Sequence, residues 1–127
     1  MGKTPLSQCC VYIDDLVTDL RFNKHLDRLH AVGRHMGISV YLTSQSFRAA
    51  SSLLRKQIDN LVCFKLNQLE YQAVKDEVVG SEISADEWDE LYKRGTAGRH
   101  DFLVIKLKER DRDQKFFRNY THRLVIA

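Results

Sequence analysis

The stretch Cys9–Asp15, with the sequence CCVYIDD, constrains the fold of this chain more than any other segment. A short continuous apolar run rich in Val, Tyr and Ile is typical of a strand buried on both faces of a sheet. Asp14 and Asp15 follow at its carboxyl end, where open parallel sheets bind ligands. One carboxylate there can hold a hydrated Mg²⁺ while the other orients or deprotonates a water molecule. A pair of aspartates that only ends the strand and caps the next helix explains the same residues.

The segment Ile38–Gln45, with the sequence ISVYLTSQ, repeats this pattern, because an apolar strand again ends in polar residues. Leu16–His35, between the two strands, has apolar residues at three- and four-residue spacings and predicts an amphipathic helix. Two parallel strands joined by a helix form a right-handed crossover, which brings both carboxyl ends to one edge of the sheet. We therefore expect Asp14, Asp15 and Gln45 to meet around one phosphate and one water.

The remainder of the chain also alternates strands and helices, which indicates an α/β fold. A third strand is predicted at Leu61–Leu66, and helices are predicted at Gln68–Val79 and after Ser84, where Glu87 would complete a capping box. The strands Phe102–Leu107 and Phe116–Ile126, the second interrupted at Asn119 and Thr121, are expected to form an antiparallel hairpin.

Length and composition favour one domain covering residues 1–127, with 43% hydrophobic and 29% charged residues. No apolar run is long enough to span a membrane, and the start of the chain lacks the apolar core of a signal peptide, so we expect no membrane partner. The three cysteines, Cys9, Cys10 and Cys63, all fall in predicted strands. Their odd number and their positions predict buried thiols in a reducing, intracellular compartment.

Positive charge is concentrated near the end of the chain. The net charge of the whole chain is +3, but Lys106–Arg123 has seven Lys or Arg residues against three acidic ones, a net of +4. Such a segment can contact a phosphate backbone. A solvated hairpin whose charges prevent aggregation has the same composition, so both interpretations stay open.

Gly2–Thr4 spells GKT, the ending of a phosphate-binding loop of the form GxxxxGK[ST]. That loop requires a preceding strand, an earlier glycine and a following helix. The residues around Gly2–Thr4 supply none of these, and Pro5 opposes a helix directly after them. We interpret the match as a coincidence or as sequence left at a gene boundary.

These segments together resemble the C-terminal half of a P-loop ATPase of the FtsK–HerA superfamily. They are most similar to the DNA-packaging ATPases of poxviruses, giant viruses and polinton-like elements. VYIDD resembles the Walker B strand, and GRHMGISVYLTSQS resembles the next strand with its terminal glutamine. LLRKQIDNLVCFKL resembles the arginine-containing segment that leads into the following strand, and FLVIKLKERDRDQKFFRNYTHRLVI resembles the closing hairpin. The fold that this implies is part of a RecA/ASCE-like P-loop NTPase sheet.

The resemblance implies a role for each matching residue. Asp14 would hold Mg²⁺ through water, Asp15 would be the general base, and Gln45 would sense the γ-phosphate of ATP. Arg55 is the candidate for an arginine finger that acts on a neighbouring subunit, with Arg34 as second choice. A surface role for Arg55 and a helix C-terminal role for Arg34 are the alternatives. Double-stranded DNA is the implied partner, a homo-oligomeric ring the implied assembly, and the host-cell cytoplasm or a viral assembly site the implied location.

The Walker A loop of this superfamily has no counterpart in the sequence, so ATP and Mg²⁺ are expected to bind only with a companion N-terminal half. In the superfamily, the Walker A strand lies between the strands that correspond here to Ile38–Thr43 and Leu61–Leu66. Without it, Ile38–Thr43 has a bare edge unless Leu61–Leu66 closes against it. We therefore expect the chain alone to be marginally stable, to self-associate and not to hydrolyse ATP.

Two other functions agree with the same residues. The chain could be a catalytically inactive module, derived from such an ATPase, that retains oligomer or DNA contacts. Alternatively, Asp14 and Asp15 belong to a metal-dependent nuclease, which would require further acidic residues at converging strand ends.

Overall fold

The structure is a computed structural model that describes residues 8–14 and 20–126. The chain divides into two compact units, Met1–Gln57 and Ile58–Ala127. Its fold is mixed α/β, with a parallel two-stranded sheet in the first unit and an antiparallel four-stranded sheet in the second. Among the described residues, no helix is both long enough and apolar enough to cross a membrane.

The first unit contains a strand–helix–strand arrangement followed by a short helix. Its elements are β1 (Cys9–Ile13), α1 (Leu20–Gly33), β2 (Ile38–Leu42) and α2 (Ser52–Gln57). The two strands are parallel, with Cys9 opposite Ile38 and Ile13 opposite Leu42, which confirms the predicted pairing. A 3-10 turn over Arg34–Met36 follows α1, and Gly37 then adopts a φ of 69° that lets the chain enter β2.

One face of the parallel sheet packs on the helices. Leu26 of α1 and Leu54 of α2 are buried together with Ala49 and Ala50, and the half-buried side chains of Ile13 and Leu42 pack against this cluster. Asp27 of α1 is half-buried and accepts a 2.6 Å hydrogen bond from the Ser51 hydroxyl. Because that hydroxyl also accepts from the backbone N–H of Leu54, it connects α1 to the start of α2.

The other face of this sheet is exposed, so the prediction that β1 and β2 are buried on both faces is wrong. Tyr12 and Tyr41, which lie opposite each other, are 64% and 59% exposed. Cys9 and Cys10 are also exposed, whereas Cys63 is buried as expected, and its burial raises the thiol pKa to about 12. An apolar run shows that a strand can be covered on both faces, but the covering elements must come from elsewhere in the fold.

The second unit has four antiparallel strands and two helices. Its elements are β3 (Asn60–Cys63), α3 (Gln68–Val78), α4 (Ala85–Gly95), β4 (Leu103–Lys106), β5 (Phe116–Arg118) and β6 (His122–Leu124), with the strands in sequence order across the sheet. The third predicted strand does not extend the parallel sheet. It pairs antiparallel with β4, with Cys63 opposite Leu103, and therefore belongs to the second sheet. The apolar residues of β3 are compatible with a parallel or an antiparallel neighbour. Which strand lies beside it depends on contacts with segments distant in the chain.

The core of the second unit lies between α4 and the sheet. Trp88, Leu91, Leu103, Ile105 and Phe116 have no exposed surface. The helix approaches the strand closely, since a Cβ atom on Gly95 would lie 2.7 Å from Leu103 Cδ1.

The two helices of this unit begin with side-chain caps. Asn67 accepts a 2.9 Å hydrogen bond from the Glu70 N–H, and Ser84 accepts one of 3.2 Å from the Glu87 N–H. The predicted N-cap at Ser84 is confirmed. The Glu87 carboxylate, however, pairs with Arg112 on the segment before β5, so its side chain contributes a tertiary contact.

The predicted antiparallel hairpin of β4 and β5 is confirmed, with Ile105 opposite Phe116. The predicted strand Phe116–Ile126 is in fact two strands. A tight turn at Asn119 and Tyr120 separates β5 from β6. Both residues have positive φ, 54° and 63°, and the chain reverses direction there. The polar interruption noted in the sequence is therefore a chain reversal.

Candidate functional site

Asp14 and Thr43 meet at the carboxyl edge of the parallel sheet. Ile13 lies opposite Leu42 in the register, so the next residue of each strand reaches the same level. The Thr43 N–H donates to the Ile13 carbonyl at 2.9 Å, and the Thr43 hydroxyl donates to Asp14 Oδ1 at 2.5 Å. The expected meeting of the two strand ends is thus observed. Both side chains carry hard oxygen atoms at an edge where α/β sheets bind ligands.

Gln45 follows this contact on a polar turn. Ser44 Oγ accepts a 3.1 Å hydrogen bond from the N–H of Ser46 and donates one of 2.8 Å to its carbonyl. The turn leaves Gln45 exposed, two residues beyond Thr43. Asp15, the predicted general base, lies outside the described residues, so its role stays a prediction.

Arg55, the candidate arginine finger, packs within its own unit. Its guanidinium carbon lies 5.5 Å from the centroid of the Phe47 ring, and the side chain is half-buried. This contact is a cation–π interaction, which orients the guanidinium group. Arg34, the second choice, is exposed on the 3-10 turn after α1. Neither placement tests a role towards a neighbouring subunit.

The oxygen atoms of Asp14 and Thr43 suit Mg²⁺, which takes one or two protein carboxylates, keeps several waters and completes its shell with substrate phosphates. In residues 8–14 and 20–126, no group of three or more His, Cys, Asp or Glu side chains is placed to hold a metal ion. The GKT sequence at residues 2–4 lies outside the described residues.

The basic segment Lys106–Arg123 has several of its cations occupied by the second unit itself. Lys106 Nζ lies 4.6 Å from the Phe117 ring centroid, Arg112 pairs with Glu87, and Lys115 Nζ is 4.0 Å from Glu82. These contacts support the structural interpretation for three of the seven cations.

A polar cluster of the second unit connects α3 to α4. Asp89 accepts hydrogen bonds from Tyr71 and from Lys75, the latter at 2.9 Å. The hydrogen bond from Tyr71 is the main reason that the pKa of Asp89 is lowered, followed by that from Lys75. Burial, followed by the hydrogen bond to Asp89, raises the pKa of Tyr71. Tyr71 and Lys75 lie on α3, and Asp89 lies on α4. The cluster therefore stabilises the packing of these two helices.

Phe64, Phe102 and Tyr120 form an aromatic cluster in the second unit that the sequence did not predict. These residues are far apart in the chain: Phe64 and Phe102 lie within two predicted strands, and Tyr120 lies between the two polar interruptions of a third. The local signal for the cluster was the polar pair at Asn119 and Thr121, which marks the turn that carries Tyr120.

Comparisons with protein-family models, with curated proteins and with solved structures give no match to this chain.

Proposed function

We propose that the first unit is the Walker B and sensor side of an ATP-hydrolysing site in a DNA-translocating ATPase of the FtsK–HerA type. The observation that carries this proposal is the hydrogen bond between Thr43 and Asp14, at the edge where the parallel strands β1 and β2 end. It holds a carboxylate in a fixed orientation where a ligand of an α/β sheet binds. The phosphate-binding loop of the site would come from a companion polypeptide segment.

In this site the residues of the chain position water and charge. Asp14 would hold the hydrated Mg²⁺, Asp15 would accept a proton from the attacking water, and Gln45 would orient that water beside the γ-phosphate. Arg55 would stabilise negative charge in a neighbouring subunit of a homo-oligomeric ring. Bound ATP and Mg²⁺ supply the phosphoryl group and the charge neutralisation, and double-stranded DNA is the proposed translocation substrate.

The proposal is tested by ATP turnover with and without a companion half that carries GxxxxGK[ST]. The chain alone should show no Mg²⁺-dependent turnover, because its sequence contains no complete phosphate-binding loop. The reconstituted complex should hydrolyse ATP, and Asp15→Asn should reduce its rate by about 100-fold or more, within the range of general-base contributions. Glu77→Gln is the matched control, because Glu77 is exposed on α3 of the other unit.

Turnover by the isolated chain that disappears in Asp15→Asn would contradict the need for a companion. A complex that forms but keeps the same rate in Asp14→Asn and Asp15→Asn would contradict the assignment of the site. That second result would favour the alternative of a catalytically inactive binding module.

A further inference from the structure

Phe64, Phe102 and Tyr120 form a row of rings, the aromatic row, at one end of the antiparallel sheet. The Phe102 ring centroid lies 5.3 Å from that of Phe64 and 5.7 Å from that of Tyr120. Phe64 follows β3 and Phe102 precedes β4, and extending the register that pairs Cys63 with Leu103 sets the two phenylalanines opposite each other. The row is therefore built from three separate segments of one unit.

The outer rings of the row are open to solvent. Phe64 is 57% and Tyr120 is 58% exposed. Strand alternation places Phe102 on the face opposite Leu103, the residue that packs against Gly95 of α4. A contiguous exposed aromatic surface on a folded unit indicates a binding site.

Tyr120 occupies a backbone position where glycine is the usual residue. The N–H of Thr121 donates to the Arg118 carbonyl at 3.1 Å, and both central residues of this turn have positive φ. Such turns favour Asn-Gly, because a bulky side chain at positive φ is strained. A tyrosine in that conformation is consistent with a role for its ring beyond forming the turn.

Hydrogen bonds hold the other two members of the row in place. The Phe102 N–H donates to Asn119 Oδ1 at 2.9 Å, and the Asn119 N–H donates to the Phe102 carbonyl at 3.0 Å. The Tyr92 hydroxyl accepts from the Leu66 N–H at 2.7 Å and donates to the Phe64 carbonyl at 3.4 Å. A ligand therefore meets rings whose backbone is already ordered, which reduces the entropy lost on binding.

Cations flank the row. Lys65 follows Phe64 directly, and Lys65 and Lys93 both line an open depression of about 600 Å³. Among the described residues, no ion pair joins Lys65 to a carboxylate. Arg118 and His122 lie close enough to Asp101, the residue before Phe102, to act on its carboxylate electrostatically.

The carboxylate of Asp101 lies beside these cations and is bound within the unit. It accepts hydrogen bonds from Asn119 Nδ2 at 2.6 Å and from the Gly98 N–H at 2.9 Å. These two bonds, with smaller contributions from Arg118 and His122, lower the pKa of Asp101. The Asp101 carboxylate is therefore engaged within the turn.

We propose that the aromatic row is a stacking platform for single-stranded nucleic acid, with bases against the exposed rings and phosphates beside Lys65 and the cations near Tyr120. Exposed aromatic rings stack on bases of any sequence, and flanking cations bind the backbone. The bases of a duplex already stack on one another, so their faces are not available to such rings. This site is independent of the proposed ATP site, whose residues belong to the first unit.

The test measures the anisotropy of labelled 12-nucleotide single-stranded DNA, single-stranded RNA and the matching DNA duplex, titrated with the full chain. Single strands should bind at least tenfold more tightly than the duplex, and comparing DNA with RNA identifies the preferred sugar. Tyr120→Gly should weaken single-strand binding at least fivefold, within the range for losing one stacked base. The fold should persist, because glycine is favoured at that φ. Fluorescence of Trp88, the only tryptophan, checks this.

Two matched controls separate the row from other exposed residues. Tyr41→Asn removes an equally exposed tyrosine of the first unit and should leave the affinity unchanged. Lys65→Gln should reduce the slope of log affinity against log salt by about 0.7, the value for one phosphate contact with a single strand. Lys24→Gln, which changes an exposed lysine of α1, should not alter that slope.

Three results would overturn the proposal. They are equal or tighter binding of the duplex, single-strand binding that Tyr120→Gly leaves unchanged, and absence of oligonucleotide binding. If the last result is accompanied by self-association that Tyr120→Gly abolishes in sedimentation, the partner of the row is a second copy of the chain.

Discussion

The Thr43 hydroxyl donates a 2.5 Å hydrogen bond to a carboxylate oxygen of Asp14, and the two residues follow neighbouring parallel strands. The bond links the ends of β1 and β2 at one edge of the sheet. It leaves Asp14 exposed. A hydroxyl that binds a carboxylate in this way orients it without removing it from solvent.

Thr43→Val should therefore affect activity more than stability. We expect it to lower the free energy of unfolding of the first unit by no more than about 1 kcal/mol, because water can replace an exposed hydrogen bond. In the reconstituted complex it should reduce ATP turnover by about 10- to 100-fold, as other outer-shell changes do. Thr43→Ser keeps the hydroxyl and is the control. A Val variant with the same turnover as the Ser variant would show that the bond does not support a catalytic carboxylate.

Gly95→Ala should destabilise the second unit, although alanine is the better helix former. Its Cβ would lie 2.7 Å from Leu103 Cδ1 and 2.9 Å from Leu103 Cβ, which is closer than packed atoms approach. Overpacking of this kind lowers the free energy of unfolding by about 1–3 kcal/mol. Urea titration followed by Trp88 fluorescence measures the change.

Gly80→Ala is the matched control, since a Cβ there meets nothing within 4 Å. It should be neutral or stabilise by up to about 1 kcal/mol, through the lower entropy of the unfolded chain. Equal effects of the two substitutions would contradict the close contact between α4 and β4.

Asp89→Asn should destabilise the second unit at neutral pH but not in acid. The hydrogen bonds from Tyr71 and Lys75 lower the pKa of Asp89 in the folded state below the value of about 3.9 for an unfolded aspartate. The ionised form is therefore favoured by folding, so its contribution is present above that unfolded pKa and is lost as pH falls through the folded pKa. The urea midpoint of the variant should be lower than that of the wild type at pH 7, and the difference should shrink below pH of about 4.

Glu77→Gln changes an exposed side chain of α3 and is the control for general charge removal. A midpoint difference for Asp89→Asn that stays constant down to pH of about 2 would show that the carboxylate charge is not the stabilising feature.

Asn119→Ala should lower the free energy of unfolding of the second unit by about 2–3 kcal/mol. It removes two hydrogen bonds, from the Phe102 N–H and to Asp101, each contributing about 1 kcal/mol net. It also places a residue other than Asn or Gly at a φ of 54°.

Asn119→Gly separates these two effects, because glycine accepts the left-handed conformation but cannot make the side-chain hydrogen bonds. We expect its stability in urea to lie between those of the wild type and Asn119→Ala. If the glycine variant matched the wild type, the side-chain bonds of Asn119 would not stabilise the turn.

The sequence by itself determined the parallel pair of strands in the first unit. Both apolar runs are short and end in polar residues, and a helix of sufficient length separates them, so a crossover has one allowed hand. Local sequence patterns likewise predicted the N-cap at Ser84 and the hairpin of β4 and β5. In each case the interacting groups are close in the chain or joined by one regular element.

Only the tertiary structure decided which strand Leu61–Leu66 pairs with, that Tyr12 and Tyr41 are exposed, and that Phe64, Phe102 and Tyr120 form one surface. Each depends on contacts between distant segments. An apolar run has the same hydrophobic pattern whether one face or both are covered, and whether its partner is parallel or antiparallel. The physical reason is that side-chain alternation specifies which face a residue occupies, while the element that lies on that face is chosen by packing of the whole unit.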